Sequence, residues 1–592
     1  MPDASVAETR LRRGLVSISE DERPIYALDW QVPVVEVDDD GIIEARRRAA
    51  EALEQGRLYE DADSAIPIYL AILREQPLDE ATMDGLSKAT DALFVLGSEV
   101  LEGDASDGVD IARAHAIAAA ARSIAPEDPR TLDYLTRVDA ADRLQALLLH
   151  GEEQVAAGNL GESGIGAITA FREVLRNRPL DVRAARGLAS VELRMLARAS
   201  EAAREDDFEQ AEAWLAHATR LGRADATQVA EAKRRIDLRR EARSARLYAD
   251  VLRRLEAPGE FGALREAAET IDRLQEIATQ GDVRVGAARQ RLELATRYGV
   301  HRPGQRFSDA IADGGRGPEM VVVPHGAFLM GAPQDERDSS KAEWPQHQVT
   351  FARGFAMART EATVSEFGRF IAATGYRTRA ERRGYSVVYA ERSGNFVLRN
   401  DITWQHDYAG RPAAGDLPVL HVDVRDAEAY AEWLSEKTGQ RYRLPHEAEF
   451  EYALRAGGQT RFPWGNGEPP RGSGNLTGSL DRSPSGRRWG NAFQGYRDGF
   501  WGPAPVRRDA ANRFGLHGMA GNVGEWMMDC WHQGYRRAPA DGGAWFNPGC
   551  RSRVVRGGTW SSAPAQARSA WRMAQAHDIT NARTGFRMVR DL

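Results

Sequence analysis

The stretch "RVVRGGTWSSAPAQARSAWR" (553–572) joins a short β-branched run to a double glycine, a tryptophan and two further arginines. It reads as the floor of a catalytic pocket. Yet it holds no cysteine, and none follows Cys550 in the chain.

Working outward, the second half of the sequence has one grammar throughout. From 320 onward glycine, tryptophan and proline are frequent, strands look short and loops dominate, which predicts a compact mixed α/β domain with long ordered loops. "MVVVPHGAFLMG" (320–331) reads strand, turn, strand, and an amphipathic helix is expected near 361–374. Two more helical stretches lie in 426–458. Tyr430, Trp433 and Leu434 share a face of the first, and Ala448, Tyr452 and Arg455 share a face of the second. Further motifs are "FPWG" (462–465), "GLHGMAGNVGEWMMDCW" (515–531), "RVVRGGTW" (553–560) and "TGFRMVR" (584–590).

In this order the motifs resemble the formylglycine-generating enzyme, or sulfatase-modifying factor, family over about 320–592. The resemblance implies a mixed α+β, loop-rich fold related to C-type lectins. It also implies oxidation of a substrate cysteine by O2 and copper, with the metal held by two active-site cysteines a few residues apart, as a soft ion requires. Here Thr559 stands where the family has serine, and Trp560, Ser561 and Ser562 continue without a cysteine in a segment about four residues shorter. Gly524 replaces a tryptophan in "GNVGEW". These departures predict that the scaffold is kept and the copper chemistry lost. Thr559, Trp560, Ser562, Arg556, Arg568 and Arg572 then line a degenerate pocket. Together with Arg587, these arginines either fork onto an anionic ligand or pair internally with Glu447, Glu449, Glu451 or Asp578. Trp560 and Trp571 read as core.

The family also uses two structural calcium ions. The resemblance carries the first onto Asn475, Asp498 and the carbonyls of Leu476 and Phe500, with a longer insertion, "TGSLDRSPSGRRWGNAFQGY" (477–496), between them. The second would use Asn522, Glu525 and nearby carbonyls, but Gly518 stands where relatives place an Asn or Asp side chain. Copper and iron are not expected. The two cysteines, Cys530 and Cys550, form no CxxC or zinc pattern. They suit a disulfide, two free thiols or a soft-metal pair with His532. The other histidines, among them His115, His150 and His217, are scattered.

Residues 41–297 are different: rich in Ala, Leu, Glu and Arg at helical spacing. "EQGRLYEDADSAIPIYLAILREQPLDEATMDGL" (54–86) aligns without a gap to "AAGNLGESGIGAITAFREVLRNRPLDVRAARGL" (156–188), an offset of 102. Ala65, Tyr69 and Pro77, like Ala167, Phe171 and Pro179, have the spacing of a tetratricopeptide second helix. Weaker pairs near 107–140, 206–240 and 262–297 complete an expected α-solenoid of about ten helices, a shape suited to a protein partner. The expected domains are an extension (1–40), tetratricopeptide-like repeats (41–297), a Gly/Pro linker (298–318) and the formylglycine-generating-enzyme-like domain (319–592).

Composition adds limits. The 592 residues carry a net charge of −8, which points to neither nucleic acid nor an anionic membrane. Only four of the 79 basic residues are lysine. No apolar run is long enough for a membrane span. The start has no secretory h-region, so a cytoplasmic location is expected, or an exported one if the start is processed. The resulting expectation is a bacterial interaction protein: repeats that dock a partner, and a catalytically degenerate domain that binds a peptide, small ligand or second protein. The alternatives are an oxidoreductase with a relocated metal site and a purely structural scaffold.

Overall fold

The computed structural model describes residues 30–103, 109–223 and 225–592. It divides into two compact units, Met1–Arg243 and Ser244–Leu592. Most of the expected N-terminal extension lies outside the described residues. From Trp30 onward the chain lies on the first unit, where the indole N–H donates to the Tyr59 carbonyl at 3.1 Å.

The first unit is helical: α1 (Ile42–Glu54), α2 (Ala65–Glu75), α3 (Glu80–Glu102), α4 (Ile111–Ile124), α5 (Pro129–Ala157), α6 (Ala167–Asn177), α7 (Val182–Arg204), α8 (Phe208–Leu221) and the first part of α9 (Ala226–Arg254). The repeat is exact in its helix bounds. Adding 102 to the ends of α2 and α3 gives the ends of α6 and α7. Packing repeats as well. Tyr69 lies against Gly85, and Phe171 against Gly187, where an added Cβ would come within 2.6 Å and 2.5 Å of the ring. Glycine on the longer helix lets the aromatic side chain sink to the backbone, outweighing its modest cost to helix propensity.

In the second unit α10 (Ala263–Ile277) and α11 (Val283–Tyr298) precede β1 (Arg306–Phe307), β2 (Met320–Val323), β3 (Gly326–Met330), β4 (His347–Phe351) and β5 (Phe355–Ala358). These two helices were expected to end the repeats, but they belong to the unit that follows. Tyr298 is buried, and its ring fills the space beside Gly354. The Gly/Pro stretch read as a linker likewise forms β1, and His301 stacks on Phe307 with centroids 4.1 Å apart.

Next come α12 (Val364–Thr374), α13 (Arg379–Arg383), β6 (Tyr385–Ala390), β7 (Asn395–Asn400), α14 (Val424–Thr438), β8 (Tyr442–Arg443) and α15 (Glu447–Arg455). The last strands are β9 (Gly524–Cys530), β10 (Ser552–Arg556), β11 (Met573–Ala576), β12 (Thr584–Gly585) and β13 (Val589–Asp591). Local chemistry sets the helix starts: Thr363 with Glu366, Thr378 with Glu381 and Asp423 with Asp426 form reciprocal capping boxes. One sheet runs β1-β2-β5-β13-β8 and a second β11-β10-β9-β12, while β3–β4 and β6–β7 are separate hairpins. Phe367, Phe370, Tyr430, Trp433, Trp526 and Phe586 fill one core; Val321, Met357, Phe450, Met527, Val554 and Val589 belong to another. Loops occupy most of 456–523, as the sequence predicts.

Candidate functional site

The segment 557–572 leaves β10 at the double glycine, where Gly557 and Gly558 have φ of +92° and +75°. Such angles strain any side-chain-bearing residue, so the turn fixes glycine at both positions. Beneath it, α15 presents three glutamates. Glu447 accepts from Arg572 at 2.6 Å, Glu449 is gripped by both terminal nitrogens of Arg443 at 2.7 Å, and Glu451 lies between Arg455 and Arg556. Arg568 forks onto Glu343 at 2.6 Å and reaches Glu336 at 2.9 Å, and Arg587 forks onto Glu525 at 2.6 and 2.7 Å.

The four arginines named from sequence are therefore committed to internal carboxylates. Glu447 and Glu451 were among the expected partners. Asp578 instead pairs with Arg379 and Arg383, and Glu343, Glu336 and Glu525 replace it. Burial alone would push Glu451 up, but the Arg455 and Arg556 charges overcome it and hold the carboxyl below its usual range.

Trp560 is buried, and its N–H donates to the Ala582 carbonyl at 3.0 Å. Tyr389, Tyr408, Phe396 and Trp489 surround the ring at centroid distances of 4.8–6.0 Å. Thr559 is buried as well; its backbone N–H donates to the Ser562 hydroxyl at 2.9 Å. Trp571 is half-buried, and its carbonyl accepts from Arg556. A Cβ on Gly524 would sit 2.8 Å from Val555 and 3.4 Å from Thr559, so the missing side chain leaves no hole. The floor is thus close-packed.

The open space lies elsewhere. A cavity of about 680 Å³ is lined by Asn475, Asp498, Phe500, Asp509 and Asn522, with Arg471, Arg497 and Arg508 also on its wall. Asp498 accepts backbone N–H bonds from Leu476 and Phe500, each at 2.8 Å, and burial pushes its carboxyl up to about 7. Asn475 spends its amide N–H groups on the Gly502 carbonyl and the Asn522 side-chain oxygen, at 2.9 and 3.0 Å. The two side chains named for the first cation set, Asn475 and Asp498, line the same opening.

The second set is arranged differently. Glu525 is taken by Arg587, and the Asn522 oxygen also accepts from Ala504 N at 2.9 Å. At Gly518 a Cβ would fall 2.3 Å from Oε1 of Glu361. Glu361 is fully buried and bonded to the Asn522 amide at 2.9 Å, while its Oε2 has no partner. Burial, only partly offset by Arg587, pushes Glu361 up to about 8. Sequence reading missed Glu361 and Asp509. Glu361 lies 161 residues from the Asn522 it bonds, and Asp509 precedes the Gly518 it bonds by nine residues in a stretch with no recognised motif.

Cys530 and Cys550 are joined in a disulfide with Cα atoms 6.0 Å apart. His532 stacks on Trp545 at 3.6 Å, and its ring nitrogens engage the Cys530 carbonyl and the Asn547 amide. Among the described residues, no three His, Cys, Asp or Glu side chains form a group that could hold a metal.

Comparison with known proteins follows the same half of the chain. The model of the sulfatase-modifying factor enzyme 1-like domain matches residues 307–592. The formylglycine-generating enzyme of Thermomonospora curvata is 32% identical over 310 residues, covering 46% of this chain and 93% of that protein. The "inactive C-alpha-formylglycine-generating enzyme 2" of Mus musculus is 31% identical over 296 residues, covering 46% and 85%. Among solved structures, PvdO from Pseudomonas aeruginosa is similar at 35% identity, with 49% of this chain and 100% of that one covered and a TM-score of 0.39. Through its C-terminal half, the chain belongs to the sulfatase-modifying factor enzyme 1-like family.

Proposed function

We propose that this protein is a binding member of its family, in which the helical first unit docks a protein partner and the C-terminal domain engages a ligand or second protein without oxidising cysteine. One observation carries the reading. The chain has only two cysteines, and they are bonded to each other away from the Thr559–Ser562 segment, so no thiol pair faces the former reaction floor. Copper(I) chemistry of the family type needs two thiolates. The likeness to a relative named as inactive is in keeping with this.

For the first unit, the support is an apolar residue exposed at the same place in both repeats. Leu78 is 86% and Leu180 93% exposed, each just before the N-cap aspartate of the longer helix. Tetratricopeptide-like stacking would present these leucines to a partner.

Calcium remains part of the reading at one place only. Asn475, Asp498 and Phe500 line the cavity and Leu476 follows Asn475 in the chain, a set of side-chain and carbonyl oxygens whose hard character suits that ion. The Asn522/Glu525 set does not fit it, because Arg587 occupies both carboxylate oxygens. A bound calcium there would neutralise Asp498 and cross-link two loops.

The test is direct. Full-length protein is incubated with Cu(I), O2 and a cysteine-bearing peptide, and the peptide is followed by mass spectrometry. Unchanged cysteine is expected. Multiple-turnover conversion to formylglycine would reject the proposal in favour of an oxidoreductase.

A further inference from the structure

Arg583 breaks the pattern of paired arginines. Its guanidinium lies 4.7 Å from the centroid of Phe396, with no carboxylate partner among the described residues. The side chain is half-buried, and burial lowers its pKa with nothing to offset the cost. A desolvated cation without a counter-charge is expensive unless an anion completes it.

Its surroundings are built to one pattern. Phe396 belongs to β7, which among the described residues pairs only with β6, so its outer edge carries N–H and C=O groups with no strand partner there. Every residue of β7 is exposed, and Leu398 is 68% exposed on the same face as Phe396. An apolar edge strand left bare is a template for another strand. The insertion loop packs on the hairpin turn: Arg487 donates to the carbonyls of Glu391 and Arg392 at 2.9 and 2.6 Å. That contact brings Arg488 to the same end of the hairpin as Arg392. Both are exposed and without an ion-pair partner among the described residues. Trp489 of the same loop stacks on Trp501 at 4.1 Å and borders Trp560.

We infer that the β7 edge, flanked by Arg392, Arg488 and Arg583, docks an extended acidic segment of a partner polypeptide. The segment adds a strand to β7 through main-chain hydrogen bonds, and its carboxylates meet the three guanidinium groups. A single-stranded nucleic acid would also use arginine and aromatic rings, but it has no use for a free strand edge. The inference deepens the reading of the C-terminal domain as a binding module by naming the chemistry of its partner.

The experiment uses full-length protein and a fluorescein-labelled (Glu-Val)4 peptide, read by fluorescence anisotropy at two salt concentrations. Saturable binding that weakens with salt is expected. Arg583→Gln lowers affinity about tenfold or more, and Arg392→Glu with Arg488→Glu lowers it further. The melting temperature of Arg583→Gln stays level or rises, because a half-buried charge with no counter-charge has been removed. Lost binding is then separated from lost folding. Three outcomes overturn the inference: no saturable binding, equal binding of (Gln-Val)4, or wild-type affinity in Arg583→Gln. Tighter binding of a labelled oligothymidylate would assign the surface to nucleic acid instead. None of these results bears on cysteine oxidation, which the copper assay decides on its own.

Discussion

The carboxyl group of Glu361 occupies the space into which a side chain on residue 518 would project, with Oε1 2.3 Å and Oε2 2.5 Å from the Cβ position of Gly518. Gly518 also has φ of +64°, a conformation that side chains resist. Gly518→Ala therefore meets steric conflict with a buried group as well as backbone strain. We expect a loss of about 2–4 kcal/mol in the denaturant stability of the second unit. A melting temperature unchanged from wild type would show that Glu361 moves aside freely.

Glu361 also sets a pH dependence. Its folded pKa of about 8 lies above the ordinary value of 4.5 for a glutamate carboxyl. Between those values the folded state holds a proton that the unfolded state has released, so ∂ΔG/∂pH is negative. This contribution is fully present below about 4.5 and is lost as pH rises through 8. Asp498, raised to about 7, acts in the same direction over a narrower window. Thermal melts from pH 5 to 9 should show falling stability, and Glu361→Gln should flatten the slope.

The charge layer under β10 predicts asymmetric mutational effects. Glu451→Gln removes the nearer carboxylate of the fully buried Arg556, leaving it Glu447 at 3.8 Å, and should cost about 3–5 kcal/mol. Replacing both partners with apolar residues, Glu451→Leu with Arg556→Met, should cost less than the sum of the single changes, although Arg455 still loses a partner. Urea titrations of the four proteins form the cycle that measures the coupling.

The disulfide closes a loop with a sequence separation of 20, for which chain entropy gives about 3 kcal/mol. Cys530→Ser with Cys550→Ser should lower stability by that order, read by chemical denaturation without reductant.

In the first unit, Gly85→Ala and Gly187→Ala should be destabilising to a similar extent, about 1–3 kcal/mol each, because each drives a methyl group into an aromatic ring. Circular dichroism melts test whether the two repeats respond alike.

Much of the architecture was legible in the sequence because it is written in local patterns. The offset of 102 marked the paired helices of the first unit, and apolar spacing marked the helices near 361–374 and within 426–458, whereas the short helix α13 went unread. The strand–turn–strand reading at 320–331 also became β2 and β3. What stayed hidden was long-range. The packing of Tyr298 beside Gly354 places α11 in the second unit, and no composition change marks that contact. The candidate site followed the same division. Asn475 and Asp498 could be named from short motifs, whereas Glu361 reaches Asn522 from 161 residues away. Arg583 carries no local signal, because its lack of a carboxylate among the described residues depends on where distant acids fall.

The ion pairs held by α15 have a consequence for how this chain can change over generations. Glu447 and Glu451 answer to Arg572 and Arg556 from a distant part of the domain, and Glu449 to the nearby Arg443, so a single substitution at either end weakens a buried charge pair. None of these pairs uses a cysteine. Selection on the scaffold is therefore separable from selection on any thiol, and a descendant inherits a rigid frame on which new surface loops can be tried.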